Sequence, residues 1–147
     1  MLVKGDVRIN APLEKVWEFL VNPHVVARCA PGVESLEIII PDRQFRAVAS
    51  IGFGSAKVTF ITDVEWLEME SPYRAKMKAH GIAPGSAADV VAEMSLVSAG
   101  DSFTELAWWA DVTISGTIAS LASRLMGSVT QKLTDLFFDC VRKQIET

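Results

Sequence analysis

The first residues alternate. Val3, Gly5, Val7 and Ile9 share one face, and Lys4, Asp6 and Arg8 share the other. This period of two predicts a half-buried strand over Leu2 to Ile9. Asn10-Ala11-Pro12 then reads as a helix start, with proline near the first helical position. Leu13, Val16, Trp17 and Leu20 form the apolar stripe of that helix, which Asn22-Pro23 breaks. A second short helix is expected around His24 to Cys29, ending before Ala30-Pro31-Gly32.

Strands separated by turn signals follow. They are expected over Val33 to Ile40, Gln44 to about Ile51, Ser55 to about Met69, Tyr73 to Ile82, Ala87 to Val97 and Phe103 to Ile114. The turns are read at Pro41-Asp42, Gly52-Phe53-Gly54, Ser71-Pro72, Ala83-Pro84-Gly85-Ser86 and Ala99-Gly100-Asp101. From about Thr117 to Ile145, apolar residues recur at spacings of three and four. They run Ile118, Leu121, Ala122, Leu125, Met126, Val129, Leu133, Leu136, Phe137, Cys140 and Val141, and they predict one long amphipathic helix. An antiparallel sheet of about seven strands must have one face covered, and this helix is the only element long enough to cover it. The expected class is α+β, a curved sheet gripping a C-terminal helix, in a single domain over 1–147.

Sorting each strand by face shows an interior poor in charge. Phe45, Ala47, Ala49 and Ile51 share a side, as do Val58, Phe60, Thr62, Val64 and Trp66. The later strands add Met77, Ala79 and Gly81, then Ala88, Val90, Ala92 and Met94, then Leu106, Trp108, Ala110 and Val112. Lys57, Asp63, Glu65, Lys76, Lys78, Asp89, Glu93, Glu105 and Asp111 fall on the other side. Small residues on a concave sheet leave space beneath the helix. Empty apolar space costs about 24 cal/mol per Å³ in core-truncation series, so a persistent cavity points to a ligand. The same small residues also fit a helix packed close against the sheet, with no cavity. A greasy interior suits a flat or long apolar molecule and offers no general acid or base. The candidate ligand-binding residues are Phe45, Val58, Phe60, Met77, Val90, Met94 and Trp108 on the sheet. Leu121, Leu125, Met126, Val129 and Leu133 join them from the helix, with Phe53 in the glycine turn as an entrance gate.

Composition narrows the alternatives. The 147 residues are 50% hydrophobic and 22% charged, as in ordinary globular proteins. The net charge of −4 and the lack of a basic stripe argue against nucleic acid as a partner. No apolar region of signal-peptide type opens the chain, and no run of about 18 apolar residues spans a membrane. The two cysteines, Cys29 and Cys140, are able to pair in principle, but free buried thiols in a reducing cytoplasm are expected. His24 and His80 have no Cys or His at metal-ligand spacing, so no metal site is expected. Gly52-Phe53-Gly54-Ser55-Ala56-Lys57 precedes a strand and reads as a hairpin turn, not a phosphate loop. An enzyme would have to use Tyr73 or Thr62, or carry Asp63 or Glu65 turned inward. Cys29 has no histidine placed by sequence to activate it. A third reading is an interaction scaffold with a filled core.

Several segments carry a resemblance. Gly5-Asp6-Val7-Arg8-Ile9-Asn10-Ala11-Pro12, followed by Val16-Trp17, resembles the opening of START-like (SRPBCC, Bet v 1-like) domains. Asn22-Pro23 with Cys29-Ala30-Pro31-Gly32-Val33-Glu34-Ser35-Leu36 resembles the CoxG family, named for a carbon monoxide dehydrogenase subunit. Gly54 to Phe60 and Gly116 to Leu125 are similar to the same family, so the likeness covers nearly the whole chain. The resemblance implies a helix-grip fold with a deep hydrophobic pocket and no resident cofactor. It implies an accessory protein of a molybdenum-containing carbon monoxide dehydrogenase or a related molybdenum hydroxylase, linked to the membrane quinone pool. An apolar molecule such as a menaquinone is the implied ligand. No catalytic residues are established in the family, so none transfer. Many members carry a C-terminal extension that reaches the membrane, whereas this sequence stops at Thr147. The expectation is a cytoplasmic carrier, at most transiently peripheral at the inner membrane face.

Overall fold

A computed structural model describes residues 1–146, and Thr147 lies outside the described residues. In chain order the elements are β1 (Leu2–Ile9), α1 (Leu13–Val21), α2 (Pro23–Val26), β2 (Val33–Ile40), β3 (Gln44–Phe53), β4 (Ala56–Glu70), β5 (Arg74–Ala83), β6 (Ser86–Gly100), β7 (Phe103–Gly116) and α3 (Ala119–Ile145). The seven strands form one sheet in the order β1-β7-β6-β5-β4-β3-β2. Every pairing is antiparallel. The meander β2 to β7 needs only tight turns, and β1 closes against β7 from the other end of the chain. The α+β arrangement expected from the sequence, a curved sheet holding one long helix, is the one observed.

Most element boundaries fall within three residues of those expected. Three differences have local causes. Strand β3 runs on to Phe53, which pairs with Ala56, so the turn is Gly54-Ser55 and not the whole glycine segment. Helix α2 ends at Val26 because the chain then tightens, with Arg28 N–H bonded to the Val25 carbonyl and Cys29 N–H to the Val26 carbonyl. Leu136 is 50% exposed, although its spacing placed it on the apolar stripe of α3, and Phe138 is buried in its stead. The buried face of the helix drifts along its length relative to a strict spacing of three and four.

Caps and tethers hold the ends. The Asn22 side chain accepts from His24 N–H at 3.1 Å, capping α2. The buried Thr104 hydroxyl donates to the Ala11 carbonyl at 2.8 Å, tying the entry of α1 to β7. Glu146 accepts from Asn10 N–H at 2.6 Å, fixing the end of α3 beside the same entry. Gly32 has φ of 82°, and a Cβ there would collide with the Ser50 carbonyl, so only glycine lets β2 start against β3.

Two packed clusters bracket the sheet–helix interface. One gathers α1, Leu96, Leu106, Phe138, Val141 and Ile145. The other gathers Phe53, Ala122 and Met126 toward the start of α3. The free-thiol expectation is overturned: Cys29 and Cys140 form a disulfide with Cα atoms 5.3 Å apart, linking the loop after α2 to α3. Their separation of 111 residues hid a contact that only the folded chain creates.

Candidate functional site

The site lies between the two clusters and is built by side-chain alternation. In β3 to β7 each inward residue pairs across the ladder with another inward residue, for example Ala49 with Phe60, Met77 with Ala92 and Met94 with Trp108. Where two small residues meet, the helix stands off and a space remains. Two apolar chambers result. The first, about 320 Å³, is bordered by Phe53, Phe60, Gly81, Val90, Met126 and Val129, among others. The second, about 510 Å³, is bordered by Phe45, Trp66, Met77, Ala92, Met94 and Phe137, among others. Trp108, Leu133 and Thr134 border both, so the chambers meet at that line. Each volume lies within the range of small-molecule pockets, roughly 300–1,000 Å³.

Ten of the thirteen candidate residues border these chambers. Phe53, Phe60, Val90, Met126 and Val129 border the first, Phe45, Met77 and Met94 border the second, and Trp108 and Leu133 border both. Val58, Leu121 and Leu125 do not. They pack around Phe53 and Ala122 in the second cluster, beyond the end of the first chamber. Phe53 is 3% exposed and belongs to that cluster, so it forms an end wall from a strand and not from a turn. Leu20, Val26, Ala30 and Pro31 were not expected at the site, yet they close the second chamber from the α1–α2 segment. Thr130 and Thr134 were not expected either; they look polar in a helix pattern but face the cavity. Their spacing of four, continuing Met126, is the signal that marks them.

The polar residues expected on the convex face are there. Asp63 accepts from Arg46 Nε at 2.8 Å on that face, and this hydrogen bond raises the pKa of the Arg46 guanidinium. Burial opposes the charge on Arg74, but Glu68, Glu93 and Glu70 outweigh it and raise its pKa. Glu93 also borders the second chamber. Its carboxylate accepts from Trp109 Nε1 at 3.0 Å and pairs with Arg74. Trp108 and Trp109 therefore point to opposite faces. Of the groups an enzyme reading requires, Tyr73 is 58% exposed and away from both chambers, while Thr62 borders the first. Among the described residues, no cluster of three His, Cys, Asp or Glu is arranged to hold a metal. No helix of the described residues is long and apolar enough to cross a membrane.

A third space, about 420 Å³, opens between edge strand β1 and α3. Gly5 and Trp108 form part of its floor, and Thr130, Gln131, Thr134 and Asp135 form its helical wall. Gly5 is what allows this arrangement. A Cβ on Gly5 would sit 3.0 Å from Trp108 Nε1 and 3.2 Å from Cε2, so the indole lies across the bare backbone of its ladder partner.

Comparison with known proteins gives one family and one fold shared with many solved structures. The family model for the carbon monoxide dehydrogenase G-subunit (CoxG) matches residues 5–146. No curated protein matches the chain. Among solved structures, a conserved protein from Geobacillus kaustophilus superimposes with a TM-score of 0.90 at 24% identity, covering 98% of this chain and 94% of its own. The Zhui aromatase/cyclase from Streptomyces sp. R1128 gives 0.75 at 15% identity, covering 98% and 92%. A START superfamily protein from Mycobacterium smegmatis gives 0.69 at 16% identity, covering 99% and 97%. At these identities the likeness is one of fold.

Proposed function

We propose that this chain, which belongs to the CoxG family of carbon monoxide dehydrogenase subunits, is a non-enzymatic carrier of an apolar ligand, a quinone or another lipid. The observation that carries the proposal is the two-chambered cavity, apolar on nearly all sides, with ionised groups held on the convex face. A space of this size lined by hydrocarbon is stable when a molecule fills it. Among the described residues, the one carboxylate bordering the chambers, Glu93, is already paired with Arg74 and accepts from Trp109 Nε1, which favours holding a ligand over transforming it. By its family, the carrier serves a molybdenum-containing carbon monoxide dehydrogenase or a related hydroxylase, passing a quinone between that enzyme and the membrane pool through transient contact. Phe45, Phe60, Met77, Val90, Met94, Trp108, Met126, Val129 and Leu133 are the proposed ligand contacts, with Phe53 at the end wall.

Mass spectrometry of an organic extract of the purified protein tests this directly. A quinone or lipid near one per chain is expected. Ala92→Trp places an indole in the second chamber between Met77 and Ala110, its ladder partners. A folded A92W protein should lose the ligand. Full ligand retention by that variant would refute the carrier reading.

The fold shared with an aromatase/cyclase supplies an alternative, a catalyst of a cyclisation. In that reading Thr62, Thr130 and Thr134 are the hydroxyls nearest a substrate. Turnover of a cyclisable substrate that falls with Thr62→Val would favour it over the carrier.

A further inference from the structure

The cavity has one polar side. All three spaces meet at Trp108 and Thr134, and Thr130 borders both the first chamber and the β1–α3 cleft. The chambers and the cleft are thus divided only by side chains they share, one indole and two threonines. The other side-chain hydrogen bonds in this stretch of helix run from Ser128 to the Leu125 carbonyl at 3.1 Å and from Gln131 Nε2 to Asp135 at 2.9 Å. They leave the two threonine hydroxyls and the Gln131 carbonyl available to a ligand.

The charges around the cleft decide what kind of head fits. Lys4 and Asp6 stand on its rim from β1, and Asp135, Asp139 and Arg142 from α3. Arg142 is paired with Asp139 at 3.5 Å, and the Asp135 carboxylate is engaged by Gln131. Lys4 and Asp6 share a strand face and make no ion pair with each other, so the rim carries three carboxylates against two cations. Among the described residues the rim therefore carries no excess of positive charge, and a carboxylate or phosphate head would share the cleft with Asp135 and Asp139 on its helical wall. Neutral donors and acceptors remain.

We infer that the Thr130–Thr134 edge of the β1–α3 cleft is the subsite for the polar end of the ligand, and that this end is uncharged: a carbonyl or hydroxyl group on a long apolar body. This rests on the carrier reading and adds to it the orientation and the charge class of the ligand. Threonine hydroxyls donate to a ligand carbonyl and accept from a ligand hydroxyl, so the same subsite serves both forms. The apolar body then extends from Trp108 into the two chambers.

The test uses the full chain with three probes of matched length: 2-pentadecanone, pentadecane and pentadecanoate at pH 8. Binding is read by tryptophan fluorescence and checked by calorimetry. The ketone should bind more tightly than the carboxylate. In T130V/T134V, where each methyl replaces a hydroxyl at near-constant volume, ketone affinity should fall about tenfold while pentadecane affinity holds. Thr130→Ser/Thr134→Ser restores the hydroxyls and should restore ketone binding. Equal loss for ketone and hydrocarbon, no loss for either, or preferred binding of the carboxylate would overturn the subsite while leaving the carrier standing. Failure of all three probes to bind the folded wild-type protein would overturn the carrier reading and the subsite with it.

Discussion

At the scale of single residues, space is set by what is missing. Gly5 and Gly81 carry no side chain where a neighbouring ring needs room. A Cβ at Gly81 would sit 3.0 Å from Thr62 Oγ1 and 3.2 Å from Phe60 Cβ, and Phe60 Cβ is rigidly placed by its own strand. Gly5→Val should force the Trp108 indole off the β1 backbone and into the chambers. The expected result is a folded protein destabilised by about 1–3 kcal/mol, with a shifted tryptophan emission and weaker ligand uptake. Chemical denaturation and a ligand titration check both parts, and unchanged emission with full uptake would show that Trp108 does not depend on Gly5. The faces of Phe45, Met77, Met94 and Trp108 were legible in the sequence because alternation is a local rule that every inward residue of β3 to β7 obeys. The role of Val58 was not legible. It lies on the right face of β4, but whether it meets the cavity or the Phe53 cluster depends on where the helix crosses.

At the scale of elements, α3 does two jobs along its length. Its first turns seal one end of the cavity through Ala122 and Met126, and its last turns seal the other through Phe138, Val141 and Ile145. The stretch between, from Met126 through Val129, Thr130, Leu133 and Thr134 to Phe137, borders the open space. Substitutions should therefore sort by position. Val141→Ala removes a side chain with no exposure from a packed cluster and should cost about 2 kcal/mol without touching ligand affinity. Leu133→Ala borders both chambers, so it should cost less stability and alter ligand uptake more. Denaturation midpoints paired with ligand titrations read the split, and identical profiles for the two variants would contradict it. Periodicity located this helix and its stripe, yet it misplaced Leu136 and skipped Thr130 and Thr134. Hydrophobicity marks what wants to leave water. It does not mark a polar side chain whose place on the helix turns it toward a cavity, and the cleft beside β1 is a gap between elements that no single segment encodes.

At the scale of the whole molecule, the chain ends are brought together. Strand β1 closes the sheet on β7, Glu146 caps the entry to α1, and the Cys29–Cys140 disulfide joins the α2 loop to the far end of α3. That bond sits where Ala30 and Pro31 turn over the second chamber, so it fixes the part of the wall contributed by a loop. It closes a loop spanning 111 residues, and constraining so long a segment of the unfolded chain stabilises the fold by about 4–5 kcal/mol in the chain-entropy account. For a domain near 150 residues this corresponds to a melting temperature higher by on the order of 10 °C. The oxidised protein should therefore melt well above both the reduced protein and a Cys29→Ser/Cys140→Ser variant, and those two should melt together. Thiol titration under denaturing conditions should find no free thiol before reduction and two afterwards. Two free thiols at the outset, with a melting curve indifferent to reductant, would return the cysteines to the buried free state that their separation in sequence suggested.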